Sequence, residues 1–200
     1  MSSQTDIVNQ AQILIGDDLV VSINDNTKQA RTMKVLYDMI RQGELRAHRW
    51  KFSMTRQLLP AMTTPPENTP FTYGYLLPSN CLKVLDINHL RQSLGSYNYR
   101  SGLEKLYEFQ GNVLLTNIPA PITLHYIQDV TDTTMFDACF VNAFSAKLAW
   151  KAAYALSQAT SIKNMCLEHY KDAINEATRT DAIEKLPEGQ AEDSWVTSRL

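Results

Sequence analysis

The sequence lacks the glycine patterns that bind phosphate groups or position a catalytic serine. Its seven glycines are scattered along the chain, and they form no GxGxxG, no glycine loop ending in Lys-Ser or Lys-Thr and no GxSxG elbow. These absences argue against the nucleotide-binding and serine-hydrolase classes that such motifs define.

Cysteines, long apolar runs and charge of one sign are also scarce. The three cysteines are an odd number without a CxxC pair, which indicates a reducing compartment. No apolar run approaches the roughly 20 residues that span a bilayer, and the first residues form no basic leader, so we expect neither membrane insertion nor export by that route. The net charge of −2 gives no global reason to expect nucleic acid or an anionic membrane as a partner.

Charge is nevertheless distributed unevenly along the chain. The basic segment, Lys28 to Arg56, contains eight basic residues against two acids, and the acidic segment, Asp181 to Leu200, contains five acids against two bases. Complementary charge between neighbouring subunits explains both segments at once. The alternatives are a solvated basic helix face and a nucleic-acid groove, although the basic segment lacks the interleaved exposed aromatic residues of a strand-binding surface.

Hydrophobic periodicity predicts four helices, at about residues 5–15, 27–46, 134–157 and 161–183. We expect Thr5 to cap the first helix and Gly16 to end it. We expect Thr134 to cap the third, with Asp137 three residues later completing a capping-box arrangement. The fourth should pack on one side only, because its apolar residues form one stripe of Ile162, Met165, Cys166, His169, Tyr170, Ala173, Ile174 and Ala177.

The third predicted helix is apolar nearly all round from Phe136 to Leu156. Its charged residues are Asp137, Lys147 and Lys151, and its large apolar side chains do not fit one stripe. Such a helix must be surrounded by other apolar groups. It is therefore either the central core helix or a helix that another subunit partly covers.

Between Leu45 and Pro60 the helical periodicity gives way to strand-like alternation around Trp50. The alternation predicts two opposite faces, which are Phe52, Met54 and Leu58 on one side and Ser53, Thr55 and Gln57 on the other. We interpret Trp50 and Phe52 as a structural hinge between a helical layer and a sheet. The indole of Trp50 is expected to be a buried anchor of the core rather than an exposed contact.

The middle of the chain has a β pattern. Prolines make residues 60–70 an extended arm without helix or central strand. Short sequential runs then predict an antiparallel meander with strands at residues 82–87, 105–109, 113–115 and 122–127. The segment His89 to Gly102 has the composition of an exposed loop that contacts a partner, and a plain solvated loop is the alternative.

These elements predict an α+β fold in which N- and C-terminal helices form an antiparallel bundle with an inserted antiparallel β-lobe. The helical domain comprises residues 1–52 and 130–185, the β-lobe comprises residues 53–129, and residues 186–200 form a C-terminal tail.

The titratable residues suggest no catalytic or metal centre. Cys166 and His169 are three residues apart on the last helix, but no second pair completes a tetrahedral site. His125 alternates with apolar neighbours on a strand and is expected to be a satisfied, half-buried imidazole. Asp17 and Asp18 lie in a turn, where carboxylates cap backbone N–H groups. We therefore expect no enzymatic activity, no cofactor and no metal.

Three stretches in order carry a resemblance to a known family. The first is Asn9 to Gly16 followed by Val21-Ser22-Ile23, the second is Arg46-Ala47-His48-Arg49-Trp50-Lys51-Phe52, and the third is Tyr73 to Val84. They resemble an opening helix with its glycine, an Arg-x-His-x-Trp-x-Phe junction and a Tyr-x-Tyr-x-Leu-Pro-x-Asp-Cys-Leu-Arg-Val stretch of the tail tubular protein A family. These proteins form the adaptor or gatekeeper ring of short-tailed, podovirus-type bacteriophages. The likeness covers roughly Thr5 to Ala177, and Asn80 stands where aspartate is usual.

The resemblance implies a non-enzymatic ring of twelve copies in the tail or neck of a virion, assembled in the host bacterial cytoplasm. Its partners would be the portal protein, the tail nozzle protein and double-stranded DNA that passes through the lumen without sequence specificity, with no membrane involved. The candidate contact residues are Arg41, Arg46, Arg49, Arg91, Tyr97, Tyr99, Arg100, Trp150, Trp195, Arg199 and Leu200. The alternative functions are a tail-associated peptidoglycan-degrading protein and a small nucleic-acid-binding protein that uses residues 28–56.

Overall fold

The structure is a computed structural model that describes residues 2–64, 67, 69–88, 90–91, 97–98, 104–105 and 107–183. Within these residues, four α-helices and antiparallel β-sheets make up the fold, which confirms the predicted α+β class. The helices are α1 Gln4–Ile15, α2 Lys28–Ala47, α3 Ala138–Ser157 and α4 Thr160–Ile183.

Helix α1 begins one residue earlier than predicted because Ser3, not Thr5, is its cap. The Ser3 hydroxyl accepts a hydrogen bond from the Asp6 backbone N–H at 3.1 Å, and the Asp6 carboxylate accepts one from the Ser3 N–H at 2.8 Å. A capping box needs an acid three residues after the cap. Asp6 has this spacing from Ser3, whereas the residue three positions after Thr5 is apolar. The helix ends at Gly16 as predicted, with a left-handed φ of 79° that favours glycine.

Helix α2 begins after Thr27, whose hydroxyl accepts a hydrogen bond from the Ala30 N–H. Its buried face holds apolar residues at helical spacing, namely Ala30, Met33, Tyr37, Ile40 and Leu45. The loop between α1 and α2 is fastened to α1, because the Asn9 side chain binds both the backbone N–H and the carbonyl of Val20.

The predicted start of the third helix at Thr134 is wrong. Thr134 lies in a short 3-10 helix, Thr133–Met135, where the Asp132 carboxylate accepts hydrogen bonds from its N–H and hydroxyl. Helix α3 begins at Ala138, because the Asp137 carboxylate caps it by accepting from the Cys139 N–H at 2.8 Å. Asp137 therefore acts as the cap itself rather than as the acid that completes a box.

Helix α3 is the central core helix of this chain. It contacts α1, α2 and α4, and its buried residues are Phe140, Val141, Ala143, Phe144, Ser145, Ala146, Leu148, Ala149, Ala152 and Ala153. Of the two interpretations of its apolar surface, the structure shows the central core helix, which is covered by other helices of the same chain. The surface expected to require another subunit is largely covered by the other three helices.

Helix α4 packs on one side, but the predicted stripe is only partly buried. Cys166, Ala173 and Ala177 are buried, whereas Met165 is 47% exposed and His169 is also exposed. The buried positions follow the narrow contact line with α3, so the residues at the edges of the stripe reach solvent.

The strands in the described part of the chain form two sheets and one separate pair. The first sheet has the order β1-β9-β3-β4, the second has the order β2-β8-β7, and β5 pairs with β6. The strands are β1 Met54–Leu59, β2 Tyr73–Leu76, β3 Cys81–Ile87, β4 Leu90–Arg91, β5 Tyr97–Asn98, β6 Glu104–Lys105, β7 Tyr107–Gln110, β8 Val113–Thr116 and β9 Ile122–Gln128. Every strand pairing within the described residues is antiparallel.

The predicted meander is wrong, although the antiparallel pairing is right. Strand β9 lies between β1 and β3, and β8 lies between β2 and β7, so several partners are distant in the sequence. The hairpin around Gly111, which has a φ of 61°, is the local pairing that the turn residues predicted. The other strand pairings depend on which apolar faces the two sheets bury together. Turn residues, which report only on neighbouring strands, do not contain this information.

The two faces predicted for the segment after Trp50 are also wrong. Leu58 is 64% exposed, whereas Leu59 and Ser53 are buried. A 3-10 helix, Lys51–Ser53, interrupts the extended backbone and so resets the phase of the alternation before β1 begins. Leu59 then lies opposite Ile122 of β9, and both side chains enter the core between the sheets.

Two apolar cores result from this arrangement. The larger core fills the helical layer and extends to Leu85 and Ile127 on one sheet. The smaller core lies between the two sheets and includes Tyr75, Leu114 and Leu124. Because β3 and β9 contribute to both cores, the first sheet connects the helical layer to the rest of the β structure.

Candidate interaction surface

The junction between α2 and β1 is built around Trp50. Its side chain is 2% exposed, which confirms the prediction of a buried anchor. The indole ring meets Phe140 of α3 edge to face at 5.1 Å between centroids and stacks with Phe52 at 6.3 Å. Its Nε1–H donates a hydrogen bond to the Glu44 carbonyl at 3.1 Å. Trp50 therefore fixes the direction of the chain as it leaves α2.

A groove of about 210 Å³ opens beside this anchor. We call it the junction groove, and it is lined by Trp50, Lys51, Phe52, Met135, Phe136, Asp137, Thr180 and Asp181. The rings of Phe52 and Phe136 lie 5.7 Å apart and form part of its apolar wall. The groove thus lies where the 3-10 helices Lys51–Ser53 and Thr133–Met135, the start of α3 and the last turn of α4 meet.

The junction groove also joins the two charged segments. The Lys51 backbone N–H, in the basic segment, donates a hydrogen bond to the Asp181 carboxylate at 3.3 Å. Asp181 is the first acid of the acidic segment. The two segments therefore touch within one chain, through a backbone N–H rather than a charged side chain, and complementary charge between subunits stays a prediction.

A buried ion pair lies behind the junction. The Glu44 carboxylate, on a side chain that is 1% exposed, forms an ion pair with the Lys147 ammonium of α3 and accepts a hydrogen bond from the Tyr170 hydroxyl at 3.0 Å. Burial, together with the neighbouring Glu44 charge, raises the pKa of Tyr170 far above its usual value. The hydroxyl therefore stays protonated and serves as a donor that links α2, α3 and α4.

The candidate contact residues of the basic segment have different environments. Arg41 is 4% exposed, and its guanidinium pairs with Asp129 at 3.1 Å, so the structure places it inside the chain rather than on a contact surface. Arg46 is exposed, and its guanidinium donates a hydrogen bond to the Leu82 carbonyl. Arg49 is exposed at the junction.

Trp150 is half-buried on the side of α3 that faces α4. Its indole stacks on the Tyr170 ring at 5.8 Å between centroids, and the Lys151 ammonium lies 3.9 Å from the Trp150 ring centroid. These intrachain contacts account for much of its surface, so a contact with a partner can involve only its outer edge.

The remaining candidates lie in two short strands or outside the described residues. Arg91 is in β4 and Tyr97 is in β5. Tyr99, Arg100, Trp195, Arg199 and Leu200 lie outside the described residues.

The isolated histidines and cysteines have structural environments. His125 is half-buried, and its Nδ1 lies 2.7 Å from the Asp86 carboxylate, which confirms a satisfied imidazole. Cys166 is buried with its Sγ near the Leu14 carbonyl, and burial raises the pKa of its thiol. His169 is exposed and so does not share a site with Cys166. Across the described part of the chain, no cluster of three His, Cys, Asp or Glu residues could hold a metal ion.

No family model matches the sequence, and no curated protein matches it either. None of the helices within the described residues combines the length and apolar character that crossing a bilayer requires.

The sequence did not single out Glu44, Lys147 and Tyr170 as a group. Their positions are distant in the chain, and they meet only because α3 and α4 pack beside α2. A signal was nevertheless present, because Lys147 is one of few charges on an otherwise apolar helix and a buried charge needs a partner.

Proposed function

We propose that this protein is a non-enzymatic head-to-tail adaptor, or gatekeeper, of a short-tailed bacteriophage. In this proposal copies of the chain form a ring, of twelve subunits by the resemblance, between the portal protein and the tail nozzle protein. Double-stranded DNA passes through the ring without sequence-specific contacts. A near-neutral chain suits a conduit, because extensive phosphate neutralisation would hold the DNA tightly.

The observation that supports the proposal best is that the resembling stretches contact one another. The guanidinium of Arg46, in the second stretch, donates to the carbonyl of Leu82, in the third. Trp50, also in the second stretch, anchors the junction between the helical layer and the sheet. The matched residues thus hold the two layers together, as expected if the resemblance reflects a shared fold.

The first and third stretches also have defined structural roles. Asn9 fastens the loop after α1 through two hydrogen bonds to Val20, and Gly16 ends α1. In the third stretch, the amide oxygen of Asn80 accepts a hydrogen bond from the Tyr126 hydroxyl at 3.3 Å, and its backbone carbonyl accepts from the Asp129 N–H at 2.7 Å. The replacement of aspartate by Asn80 therefore keeps an acceptor at this turn while removing a charge.

Because the other three helices cover most of α3, we place the proposed subunit interface on another surface. Helix α2 offers one, because Val35 and Met39 are 77% and 62% exposed one helical turn apart, on the side away from the core. Arg31 and Arg46 are also exposed on α2. An apolar pair with nearby basic residues fits one half of the heterologous interface that a closed ring requires.

No specific observation favours peptidoglycan cleavage. That reaction needs a carboxyl group in a cleft that a glycan can enter. The carboxylates that line the junction groove are Asp137, which caps α3, and Asp181, which accepts a backbone hydrogen bond. The buried carboxylate of Glu44 does not line the groove and is held by Lys147 and Tyr170. Its contacts support a structural role.

Native mass spectrometry of the full-length protein, alone and mixed with cognate portal rings, tests the proposal. We expect a discrete ring stoichiometry or a stable complex with the portal. A protein that stays monomeric at high concentration and also fails to bind portal rings would remove the adaptor function.

A pair of variants tests the proposed α2 interface separately. The double variant Val35→Glu with Met39→Glu should keep the circular dichroism of the parent but lose ring formation. Met165→Glu, at a similarly exposed position on α4, is the matched control and should assemble normally. Rings that form unchanged from the α2 variant would show that the interface lies elsewhere while leaving the adaptor function intact.

A further inference from the structure

We propose that the junction groove of one copy of the chain receives the Arg31 side chain of a neighbouring copy. In this contact the guanidinium lies beside the carboxylates of Asp137 and Asp181 and against the aromatic wall of Phe52 and Phe136. The inference rests on the proposed ring, and it names the surface that pairs with the exposed side of α2.

The junction groove has an excess of negative charge. Its lining carries two carboxylates, Asp137 and Asp181, against one ammonium group, that of Lys51. Asp137 accepts a hydrogen bond from the Cys139 N–H and Asp181 accepts one from the Lys51 N–H, and both donors are uncharged backbone groups. A carboxylate offers about four acceptor positions, so each can also accept from a cation. The groove therefore favours a positively charged occupant.

The size and walls of the groove suit a single arginine side chain. Its volume of about 210 Å³ is below the roughly 300–1,000 Å³ of typical small-molecule sites. Phe52 and Phe136 line it with rings 5.7 Å apart. A guanidinium is planar, so it can stack on an aromatic ring while its N–H groups donate to a carboxylate, whereas an ammonium is a strongly hydrated point charge.

Arg31 lies on the exposed apolar stripe of α2. Arg31, Val35 and Met39 follow one another at four-residue intervals and are all exposed, so they are neighbours on one face of the helix. The Arg31 Nε donates to the Thr27 carbonyl at 3.3 Å, which uses one of the five N–H donors of the guanidinium. The stripe thus presents a cation next to two apolar side chains.

Two other exposed cations of α2 already have partners within the chain. The Lys34 ammonium donates to the Asn24 side chain at 2.9 Å, and the Arg46 guanidinium donates to the Leu82 carbonyl. Arg31 is therefore the better candidate for a contact with a second copy.

The apolar parts of the two surfaces also match. Met135 lines the groove and is 49% exposed, and Val35 and Met39 are 77% and 62% exposed. When Arg31 occupies the groove, the side chains that follow it on the stripe can cover Met135. Such a contact combines an apolar centre with a charged pair, as protein interfaces commonly do.

The Arg31 side chain cannot fill the groove of its own chain. The groove is lined from Trp50 onward, beyond the end of α2 at Ala47. The helix between Arg31 and Ala47 is about 24 Å long at a rise of about 1.5 Å per residue. A second copy must supply the side chain, and the contact joins two different surfaces, which is the heterologous arrangement that a closed ring requires.

A charge swap in the full-length protein tests the contact. Arg31→Glu and Asp181→Lys each place like charges in the contact, so either should raise the protein concentration at half-assembly by at least about tenfold. The double variant restores an opposite pair and should assemble at a lower concentration than either single variant. Asp172→Lys makes the same charge change at an exposed position on α4 outside the groove, so this control should assemble like the parent.

Sedimentation velocity over a concentration series measures assembly, and circular dichroism checks that each variant folds. Three results would overturn the proposal. They are unchanged assembly of both single variants, a double variant that assembles no better than the single ones, and an equal loss in Asp172→Lys, which would indicate a general effect of charge.

Binding to portal rings separates this contact from the adaptor function. Rings that form in every variant overturn the contact and leave the adaptor function intact. A parent protein that stays monomeric but binds portal rings has the same meaning, and one that does neither overturns both.

Asp181→Asn replaces Asp181→Lys if the latter does not fold. Asparagine keeps an acceptor for the Lys51 N–H and removes the charge, so the concentration at half-assembly should still rise. Assembly of Asp181→Asn and of Arg31→Glu at the parent concentration would contradict the proposal.

Discussion

Replacing Trp50 with alanine should lower the free energy of unfolding by about 3–5 kcal/mol. The side chain is 2% exposed, so nearly all of its surface loses contact with the core. The cavity would lie between Phe52 and Phe140, whose rings now contact the indole. Because a typical domain is stable by about 5–15 kcal/mol, such a loss would remove a large share of the stability.

Trp50→Phe separates the contribution of the hydrogen bond from that of the ring. Phenylalanine keeps an aromatic ring in the core but removes the Nε1–H that donates to the Glu44 carbonyl. The same carbonyl also accepts from the His48 N–H at 3.4 Å, so it is not left without a donor. We expect a loss of about 1–2 kcal/mol, from one hydrogen bond and a reduced ring volume.

Urea unfolding followed by circular dichroism at 222 nm measures both variants on the same helices. Tyr154→Ala is a suitable control, because Tyr154 is 57% exposed on α3 and its loss should change the unfolding free energy by less than about 0.5 kcal/mol. A Trp50→Ala variant that loses less than about 1 kcal/mol would refute the argument that this indole anchors the junction.

Three further predictions concern other parts of the chain. Glu44→Ala leaves the Lys147 ammonium without its carboxylate, and we expect a loss of about 3 kcal/mol in urea unfolding; a change near zero would mean that the pair contributes nothing. Hydrogen bonds from the Ser3 N–H and hydroxyl lower the pKa of Asp6, so its stabilising effect is present above the ordinary pKa of 3.8 and is lost as the pH falls through the lowered value. The stability difference between the parent and Asp6→Asn should therefore shrink below about pH 4, and a constant difference would contradict the capping box. Truncation after Leu186 should leave the far-ultraviolet spectrum of the fold unchanged but weaken binding to portal rings, and loss of soluble protein would contradict it.

The helices were predictable because their apolar residues repeat at the helical period. All four lie within four residues of the predicted ends, and Trp50 is buried as expected. The predicted helix starts are wrong where more than one residue could cap the helix. Ser3 and Thr5 can both cap α1, and only the spacing to Asp6 decides between them. At the start of α3, Asp132 binds Thr134 and leaves Asp137 to cap the helix.

The sheet order could not be read from local signals. The order depends on which apolar faces meet, and β9 lies between β1 and β3 because its inward residues, such as Leu124, complete the core between the sheets. The junction groove could not be predicted from the sequence either, because its lining residues Phe52, Phe136 and Asp181 are far apart in the chain. The charge pattern also could not show that Asp181 meets the backbone N–H of Lys51 within one chain, because that contact does not involve the charge of the lysine.

The position of β9 at the centre of the first sheet has a consequence for synthesis on the ribosome. Met54 pairs with Ile127 and Leu59 pairs with Ile122, so β1 must wait until roughly seventy further residues have been translated before its partner exists. Helix α3, which fills the larger core, is made later still. The nascent N-terminal half therefore exposes the apolar sides of α1 and α2 throughout this interval, and folding should begin only after α3 emerges.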